Sequence, residues 1–537
     1  MKKNVLALGV AAAVAGFAGS AFAVTDYQEG TAAALQLSTT GTGHMLVVPY
    51  FSAQNGNKTL LSLTNTDATN GKAVKIRFRG AANSDDVYDF QVFLSPGDIW
   101  TADIHQGADG FAALTTADNS CTKPANVNQS FKSTRFDTDW SDAVKQSNTR
   151  EGYIEIFNMG DIAPASDLFV ATKHDATGKP PCASVAPANA WTDIDVPART
   201  TANLNAQGLV APTTGLMANW TIINVPNATA WSGAATAIEA VTAAVPPVPG
   251  TGAVVYFPQV NATVGGPLPA GTATLFTADP LLRAGVVSGQ AQFDLPDMST
   301  LYAGVSAAGP GPVAPTAADP VEQAAALTTA LATNSINNEF WTLDGISGAT
   351  DWVFSMPTRR YSGAVQYGNG AATPAVPDTV VYTDLSTSSF ATNFFTAANL
   401  TLPAGSSIAC VNGITNHYWN REEGENVVAA GDTSASPGDA APTPAAFCGE
   451  TSVLSINDVP AGSAPTKVLG AEVAVRNFNL TVGGAKAQEG WMRLDTPGLG
   501  AGLPIIGSAF MSAYNPEVAA GVAGNFSMTF PHRTTRP

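Results

Sequence analysis

The chain has 537 residues, carries a formal charge of −17 at neutral pH and is hydrophobic at 45% of its positions. Charged residues make up only 12% of it, well below the roughly 25% of an average globular domain. This acidity argues against a nucleic-acid partner, because phosphate backbones need a basic footprint. A surface with so little charge per area favours packing between copies of the same protein. The alternative is an exported protein that simply has small polar residues on its surface, which would have the same composition.

The first 23 residues have the pattern of a cleaved secretory signal. Lys2 and Lys3 precede an apolar run, and residues 21–23 match an A-x-A cleavage site. The apolar run is shorter than the roughly 20 residues that span a bilayer. We therefore predict cleavage before Val24, an exported product and no membrane-spanning segment. Loss of the two lysines would take the formal charge from −17 to −19.

Alternating apolar and polar residues predict strands joined by tight turns along most of the chain. In "KAVKIRFRG", apolar positions 74, 76 and 78 alternate with Lys75, Arg77 and Arg79, which we call the basic stripe. A period of two with turn residues between the runs is typical of antiparallel hairpins. We predict an all-β protein of antiparallel, Ig-like β-sandwich domains, with long low-complexity loops and one short helix. Further strands are predicted at 58–66, 87–94, 150–158, 218–225, 253–260, 351–356, 378–385, 471–482 and 490–495.

A turn centred near Asn83 sets the register of the first hairpin. It places Phe78 opposite Tyr88 and Arg77 opposite Asp89, which makes one face of the hairpin apolar. The basic stripe is then predicted on a solvated outer face, partly neutralised by acidic residues of the facing strand. The alternative is that the stripe forms a binding site for an anionic ligand.

Four cysteines indicate an oxidising compartment. Four cysteines allow three pairings, and sequence neighbours are the preferred partners, which predicts the disulfides Cys121–Cys182 and Cys410–Cys448. Each bond would close a loop of tens of residues and stabilise the fold by roughly 4 kcal/mol in the loop-entropy model. No CxxC motif occurs in the sequence, so a redox or zinc-ribbon role is not expected.

Three acidic residues in "RFDTDWSD" offer oxygen ligands for a hard cation. Asp137, Asp139 and Asp142 have D-x-D-x-x-D spacing, and Ca²⁺ binds such carboxylates. The segment lacks the glycine and the closing glutamate of an EF-hand loop, and a solvated acidic loop is the alternative. Calcium is the one cofactor that the sequence suggests.

One helix is predicted at residues 319–334, in "DPVEQAAALTTALATN". Asp319 is placed as the N-cap, Pro320 at the first helical position and Glu322 at the capping-box position. Leu327 and Leu331 then fall on one face of the helix. We interpret it as a helical spacer beside a linker.

Segments rich in alanine, proline, glycine and threonine indicate linkers or long loops at 234–252, 306–320 and 429–446. They divide the chain into a signal peptide at 1–23, an N-terminal β-sandwich domain at 24–233, a linker-rich middle region at 234–345 and a C-terminal β-sandwich domain at 346–537. A short echo links the two domains, because "EGYIEI" at 151–156 resembles "EGWMRL" at 489–494. Two related sandwich domains would explain it.

Familiar catalytic motifs are absent from the sequence. No G-x-S-x-G, HExxH, Walker or dinucleotide-binding pattern occurs, and the five histidines are scattered. His417 and Trp419, in "NHYWNREEGEN", form the strongest candidate binding site, with an exposed aromatic loop tip as the alternative. We predict that the protein is not an enzyme. An exported hydrolase whose carboxylates meet only in space is a third hypothesis.

Four segments resemble a family of exported bacterial proteins known mainly as uncharacterised or cell-surface proteins. They are "GHMLVVPYFSAQNGNKTLLSLTNTD", "KAVKIRFRG", "DVYDFQVFLSPGDIWTA" and "TDWVFSMPTRRY". The resemblance covers residues 43–102 and 350–361. It implies a surface-exposed β protein of a Gram-negative bacterium and brings no catalytic residues with it. Separately, the composition resembles that of surface-layer proteins, which are acidic, low in sulphur and rich in small residues.

These observations favour a self-assembling extracellular structural protein, a subunit of a surface layer or a biofilm matrix. Its partners would be copies of itself. The alternative is an adhesin or carbohydrate-binding cell-surface protein, in which exposed aromatics such as Trp419 and Trp491 contact a surface glycan.

Overall fold

The computed structural model describes residues 27–28, 30–134, 136–183, 185, 189–194, 201–252, 254–256, 326–368, 370–371, 375, 377–382, 394–428, 446–457, 465–496, 502–520 and 522–537. The predicted signal peptide lies outside the described residues, as do the first seven residues of the predicted helix. Across the described part of the chain, no helix is long and apolar enough to cross a bilayer.

Two β-sandwiches contain most of the described residues. In the first sandwich, the first sheet has the strand order Ala34–Leu37, Thr236–Val241, Met45–Ser52, Glu151–Ile162, Gly71–Gly80, Asp86–Leu94 and Cys121–Lys123, with Leu209–Val210 paired to Glu151–Ile162. The second sheet has the order Thr229–Ala234, Leu216–Asn224, Asn57–Asn65, Ile99–Gln106 and Ala112–Thr115.

The second sandwich is built from two five-stranded sheets. The third sheet has the order Glu425–Val428, Thr415–Asn420, Glu489–Asp495, Ser335–Trp341 and Arg533–Thr535. The fourth sheet has the order Val475–Phe478, Thr451–Ile456, Ala349–Ser355, Ile506–Ala519 and Val522–Pro531. All neighbouring strands in these four sheets are antiparallel except Thr451–Ile456 and Val475–Phe478.

Short elements connect and cover the sheets. The small sheets pair Tyr27–Gln28 with Val254–Val255, Ala332–Thr333 with Leu503–Pro504, Gly363–Gln366 with Thr379–Tyr382, and Thr481–Val482 with Ala485–Lys486, and join Leu400–Thr401, Cys410–Val411 and Phe447–Cys448. The helices among the described residues are Asp142–Thr149, Asp167–Thr172, Ala190–Asp193, Thr201–Gln207, 326–331 and Arg359–Ser362, and a 3₁₀ turn lies at Asp344–Ile346.

The all-β prediction is confirmed, and so is the register of the first hairpin. Phe78 pairs with Tyr88 and Arg77 with Asp89, as the turn position requires. Alternation along each strand places one set of side chains in the core of the first sandwich, including Ile76, Phe78 and Phe90. The period-two pattern therefore determined both the strands and their pairing.

Continuous apolar packing joins the two sandwiches. The strands Ala349–Ser355 and Thr451–Ile456 of the fourth sheet are buried along their whole length, and Val353 and Phe510 pack into the core of the first sandwich while other side chains of the sheet fill the second. The Phe510 ring lies 6.1 Å from Tyr50 and 5.8 Å from Trp220, between ring centroids. The two halves are thus held together by continuous hydrophobic packing.

The sandwiches extend into the region predicted as linker-rich. Strand Thr236–Val241 belongs to the first sheet and strand Ser335–Trp341 to the third, and both lie within the region 234–345 that was predicted to be rich in linkers. Small residues such as Ala237 and Ala240 suggested a linker by composition. Both alanines are buried in the sheet, where close packing favours small side chains.

The described part of the predicted helix ends three residues earlier than expected. Residues 326–331 are helical, and Ala332–Thr333 then forms a strand with Leu503–Pro504. Leu327 and Leu331 are both buried in one cluster, as their spacing predicts. The helix ends at 331 because pairing with another segment takes over the backbone hydrogen bonds, which local sequence does not reveal.

Both predicted disulfides are present. Cys121–Cys182 ties an edge strand of the first sheet to the segment after helix Asp167–Thr172, and Cys410–Cys448 joins two paired strands. The residues described contain no free cysteine. These bonds fit an oxidising environment outside the cytoplasm.

The echo between 151–156 and 489–494 has a local physical reason. A Cβ atom at Gly152 would lie 1.7 Å from the carbonyl oxygen of Arg79, and one at Gly490 would lie 1.9 Å from that of Trp419. Both glycines therefore sit where a neighbouring strand approaches too closely for any side chain. Each is the second residue of a strand that has paired strands on both sides.

Candidate functional site

The basic stripe is buried, which corrects the prediction of a solvated outer face. Lys75, Arg77 and Arg79 are each 0% exposed. Alternation showed correctly that they share a face, but another layer of the protein covers that face. Part of this cover comes from the helix Arg359–Ser362 and from Glu450, which are distant in sequence.

Buried carboxylates pair with the stripe and with the arginines of the covering helix. Glu155 lies between Arg79 and Arg360. Its Oε2 is 3.1 Å from Nε of Arg79, and its Oε1 is 3.1 Å from a terminal guanidinium nitrogen of Arg360. Lys75 bonds Asp89. These pairs make the stripe part of an internal ionic network and not an open site for an anionic ligand.

The remaining members of the network extend it along the first sheet. Lys72 Nζ lies 2.9 Å from Asp161 Oδ1, and Arg359 Nε lies 3.1 Å from Glu450 Oε1. The guanidinium of Arg77 lies over the ring of Phe157, 5.2 Å from its centroid. Such a network fixes the relative position of segments from both halves of the chain.

A second buried carboxylate, Glu151, connects the first sheet to the loop before strand Val475–Phe478. Its Oε1 accepts hydrogen bonds from the backbone amide of Glu472 at 2.7 Å and from Gln54 Nε2 at 2.8 Å. The Tyr50 hydroxyl donates to Oε2 at 3.1 Å. Burial raises the pKa of Glu151 to about 7, although these hydrogen bonds act to lower it.

Glu151→Gln is expected to change how stability depends on pH. Because the pKa of Glu151 in the folded protein is above its ordinary value of 4.5, its contribution to stability is present below pH 4.5 and is lost as the pH rises through 7. The free energy of unfolding of the wild type, relative to the variant, should fall by about 3 kcal/mol between pH 4.5 and 8. Denaturant titrations of both proteins at a series of pH values measure this difference.

The wild type must be compared with the variant because two buried histidines change the pH dependence of stability in the opposite direction. Burial lowers the pKa of His44 to about 4 and that of His532 to about 3, so both remove stability as the pH falls below 6.5. Their effect is common to the wild type and the variant and cancels in the difference. Equal pH slopes for the two proteins would contradict the role given to Glu151.

The three acids of the predicted calcium site serve the local structure. Asp137 Oδ1 accepts from the Asp139 amide at 2.8 Å, Asp139 accepts from the Gly370 amide, and Asp142 begins a helix capped by Ser141. Among the residues that the structure describes, no group of three or more His, Cys, Asp or Glu side chains is arranged to hold a metal ion. The calcium prediction thus gains no support from the geometry.

The outer face of the second sheet is open and nearly free of charge. Its strands alternate, apart from their ends, between buried inward residues and exposed or half-buried outward residues. We call the outward set the Leu60 face: Lys58, Leu60, Ser62, Thr64, Ile99, Thr101, Asp103, His105, Ala113, Thr115, Met217, Asn219, Thr221, Ile223, Ala230, Ser232 and Ala234. Its one lysine and one aspartate lie 3.5 Å apart, so their charges offset each other.

An exposed aromatic stack lies on the outer face of the third sheet. Trp419 and Trp491 face each other across two adjacent strands, with ring centroids 4.0 Å apart and planes 11° from parallel. The His417 ring lies 6.0 Å from that of Trp419, between ring centroids, with the planes 13° from parallel. Trp491 remains 41% exposed. His417 and Trp419, singled out in the sequence, therefore lie on a strand, which corrects the alternative of a loop tip.

Charged groups flank the stack at fixed positions. Arg493 donates two hydrogen bonds to Asp495, at 2.8 and 2.7 Å, and Asp495 Oδ2 lies 3.2 Å from His417 Nε2. Glu425 and Glu339 are the cross-strand neighbours of Trp419 and Trp491 at either end of the row. We call Trp419, Trp491, His417, Arg493 and Asp495 the indole platform.

Two surface depressions bear on the hydrolase hypothesis. One, of about 540 Å³, lies beside the Cys121–Cys182 disulfide, and its only carboxylate is that of Asp118, which accepts from Ser120. The other, of about 630 Å³, lies between Trp341 and Phe526 and is lined by no acid or histidine. Neither depression brings together the two carboxylates that glycoside hydrolysis requires.

Sequence reasoning found part of these surfaces. It named His417 and Trp419 as a site and Trp419 and Trp491 as candidate glycan contacts, but missed that cross-strand pairing stacks the two indoles. The signal was available in the alternation of "TNHYWN" and "EGWMRLD", since residues 417, 419, 491 and 493 all occupy outward positions. The Leu60 face was missed because nothing local marks which face of a sheet remains uncovered.

Comparisons with protein-family models, with curated proteins and with solved structures find no match for this chain.

Proposed function

We propose that this protein is a self-assembling extracellular structural protein, a subunit of a surface layer or biofilm matrix, whose copies pack through the Leu60 face. The observation that carries the proposal is an open, nearly uncharged five-stranded sheet face on a protein with a formal charge of −17. Strongly acidic copies repel one another. Close approach is therefore favoured where a surface adds no further negative charge.

The chemistry of the Leu60 face suits contact between copies. Ile99 is 50% exposed, Leu60 42% and Met217 36%, and the residues around them are mostly Ser, Thr, Ala and Asn. Short side chains lose little conformational entropy when they are covered. Five strands of this length give a face of roughly 600 Å² in plan, which approaches the roughly 800 Å² that each partner contributes to a standard interface.

Export supports the same proposal. The secretory pattern of the first 23 residues, the two disulfides and the absence of a membrane-spanning helix from the described residues are together expected of a protein that acts outside the cytoplasm. The rigid double sandwich with a shared core would supply a subunit that keeps its shape under lateral load.

Ile99→Glu is expected to block assembly. The new carboxylate would be buried without a partner at each contact, which raises the protein concentration at which assembly starts at least about tenfold. Sedimentation velocity over a range of concentrations, with and without calcium, measures the threshold. Negative-stain electron microscopy shows whether the assemblies are ordered.

Val170→Glu is the matched control. Val170 is 45% exposed, a fraction similar to the 50% of Ile99, but it lies on the helix Asp167–Thr172 and not on the second sheet. The Val170→Glu variant should assemble as the wild type does. A wild-type protein that stays monomeric at every concentration, with and without calcium, would rule out self-assembly, and equal thresholds for both variants would rule out the Leu60 face.

A further inference from the structure

The indole platform is not explained by packing within the chain or by assembly through the Leu60 face. Among the described residues, the large aromatic side chains classed as exposed are Trp491, Tyr514 and Phe526, and of these only Trp491 is stacked on a second indole. Exposed aromatic surface of this kind is typical of binding sites. The platform also lies on a different sheet from the Leu60 face.

The stacked indoles leave aromatic surface exposed to a ligand. Trp419 covers one side of the Trp491 ring at 4.0 Å, Glu339 is its cross-strand neighbour on the other side, and Trp491 still keeps 41% of its surface exposed. The face of an indole carries negative charge density and attracts polarised C–H groups. Sugar rings present several such groups on one side and hydroxyls around their edge.

Polar groups in fixed positions lie beside the indoles on the same face of the sheet. The bidentate pair of Arg493 and Asp495 holds donors and acceptors in one plane, and His417 Nε2 lies 3.2 Å from the same aspartate. Such pre-positioned groups give directional hydrogen bonds to hydroxyls without ordering of long side chains. The surface is a flat sheet face and not a pocket, which suits a chain passing across it better than an enclosed small molecule.

Charge selects among possible ligands. Glu339 and Glu425 lie at the two ends of the row that contains the indoles, and Arg493 is already paired with Asp495. A polymer of uronic acids would meet this acidic border and the charge of −17 on the chain. A second copy of the protein would bring the same carboxylates against each other.

We propose that the indole platform binds a neutral, hexose-based glycan, which a surface-layer or matrix subunit would use to hold a polysaccharide. One sugar ring packs on the exposed surface of Trp491, and its hydroxyls bond Arg493 and Asp495. The proposal is independent of self-assembly, because the two surfaces share no residue.

Affinity gel electrophoresis tests the proposal with the full-length exported protein. Native gels contain hydroxyethylcellulose, dextran or galactomannan as neutral probes, polygalacturonate as an acidic probe, or no polysaccharide. We expect the wild type to be retarded in at least one neutral gel, and Trp491→Ala to bind that polysaccharide at least about tenfold more weakly. Trp419→Ala should weaken binding too, since it removes the support of the stack.

Tyr514→Ala is the matched control, because Tyr514 is 44% exposed on a strand of the fourth sheet. It should be retarded like the wild type, and thermal unfolding confirms that each variant is folded. No retardation of the wild type in any neutral gel, retardation by polygalacturonate alone, or equal retardation of Trp491→Ala would each overturn the proposal. Ile99→Glu is expected to keep the retardation, so the gel and sedimentation assays report on the two proposals separately.

Discussion

Glu155→Gln is expected to lower the free energy of unfolding by about 3–5 kcal/mol. Glutamine keeps the volume of the side chain but removes a negative charge that lies 3.1 Å from both Arg79 and Arg360. Two buried guanidinium groups then lose this counter-charge, while Asp86 remains 3.8 Å from Arg79. Removing one partner of a buried pair is strongly destabilising because water cannot solvate what remains.

The electrostatics of Glu155 support the size of this effect. Burial acts to raise its pKa, but Arg360 and Arg79 overcome burial and hold the pKa below its ordinary value. The ionised form is therefore the one that the folded protein stabilises. Chemical denaturation followed by tryptophan fluorescence measures the change.

An exposed ion pair of similar distance provides the control. Asp344 lies 2.8 Å from Lys486, with side-chain exposures of 69% and 41%. Asp344→Asn should change stability by less than about 1 kcal/mol, since solvent already screens the pair. If Glu155→Gln proved as mild as this control, the buried network would have no part in holding the two halves together.

Replacing Cys121 and Cys182 together with serine is expected to cost about 4 kcal/mol of stability. The bond closes a loop with a sequence separation of 61 residues, and opening it restores conformational freedom to the unfolded chain. In the folded protein it ties the buried Cys121, on an edge strand of the first sheet, to the helical cover of that sheet. Denaturant titration of the double variant, compared with the wild type, gives the value.

The second disulfide is the internal comparison for the first. Cys410–Cys448 spans 38 residues, and the entropy of closure changes slowly with loop length, so its removal should have nearly the same effect. Reduction of the wild type with a thiol should reproduce the sum of the two double variants. A loss below about 1 kcal/mol for Cys121→Ser with Cys182→Ser would show that the unfolded chain gains little freedom.

Several features could be predicted from local sequence because their causes are local. The turn near Asn83 and the alternation on either side of it determined the pairing of Phe78 with Tyr88. Both disulfides joined sequence neighbours. The spacing of Leu327 and Leu331 placed them together in one buried cluster.

The covering of each sheet face depended on residues far away in the chain. Arg360 reaches Glu155 from 205 positions away, so the basic stripe was predicted to be solvated although it lies in the interior. On the third sheet no described residues form such a cover over Trp491, which stays exposed on the outer face. Periodicity identifies which side chains share a face but not what packs against it.

The sequence by itself thus determined part of the strand positions, the register of the first hairpin, the cysteine pairing and the acidic composition of the chain. Only the tertiary structure decided which faces are interior, which carboxylates meet which guanidinium groups, and that two tryptophans from separate strands form one stack. The physical reason is that backbone pairing depends on local pattern, whereas burial depends on which distant elements dock. That docking is driven by the hydrophobic burial of the whole chain, which no short segment encodes.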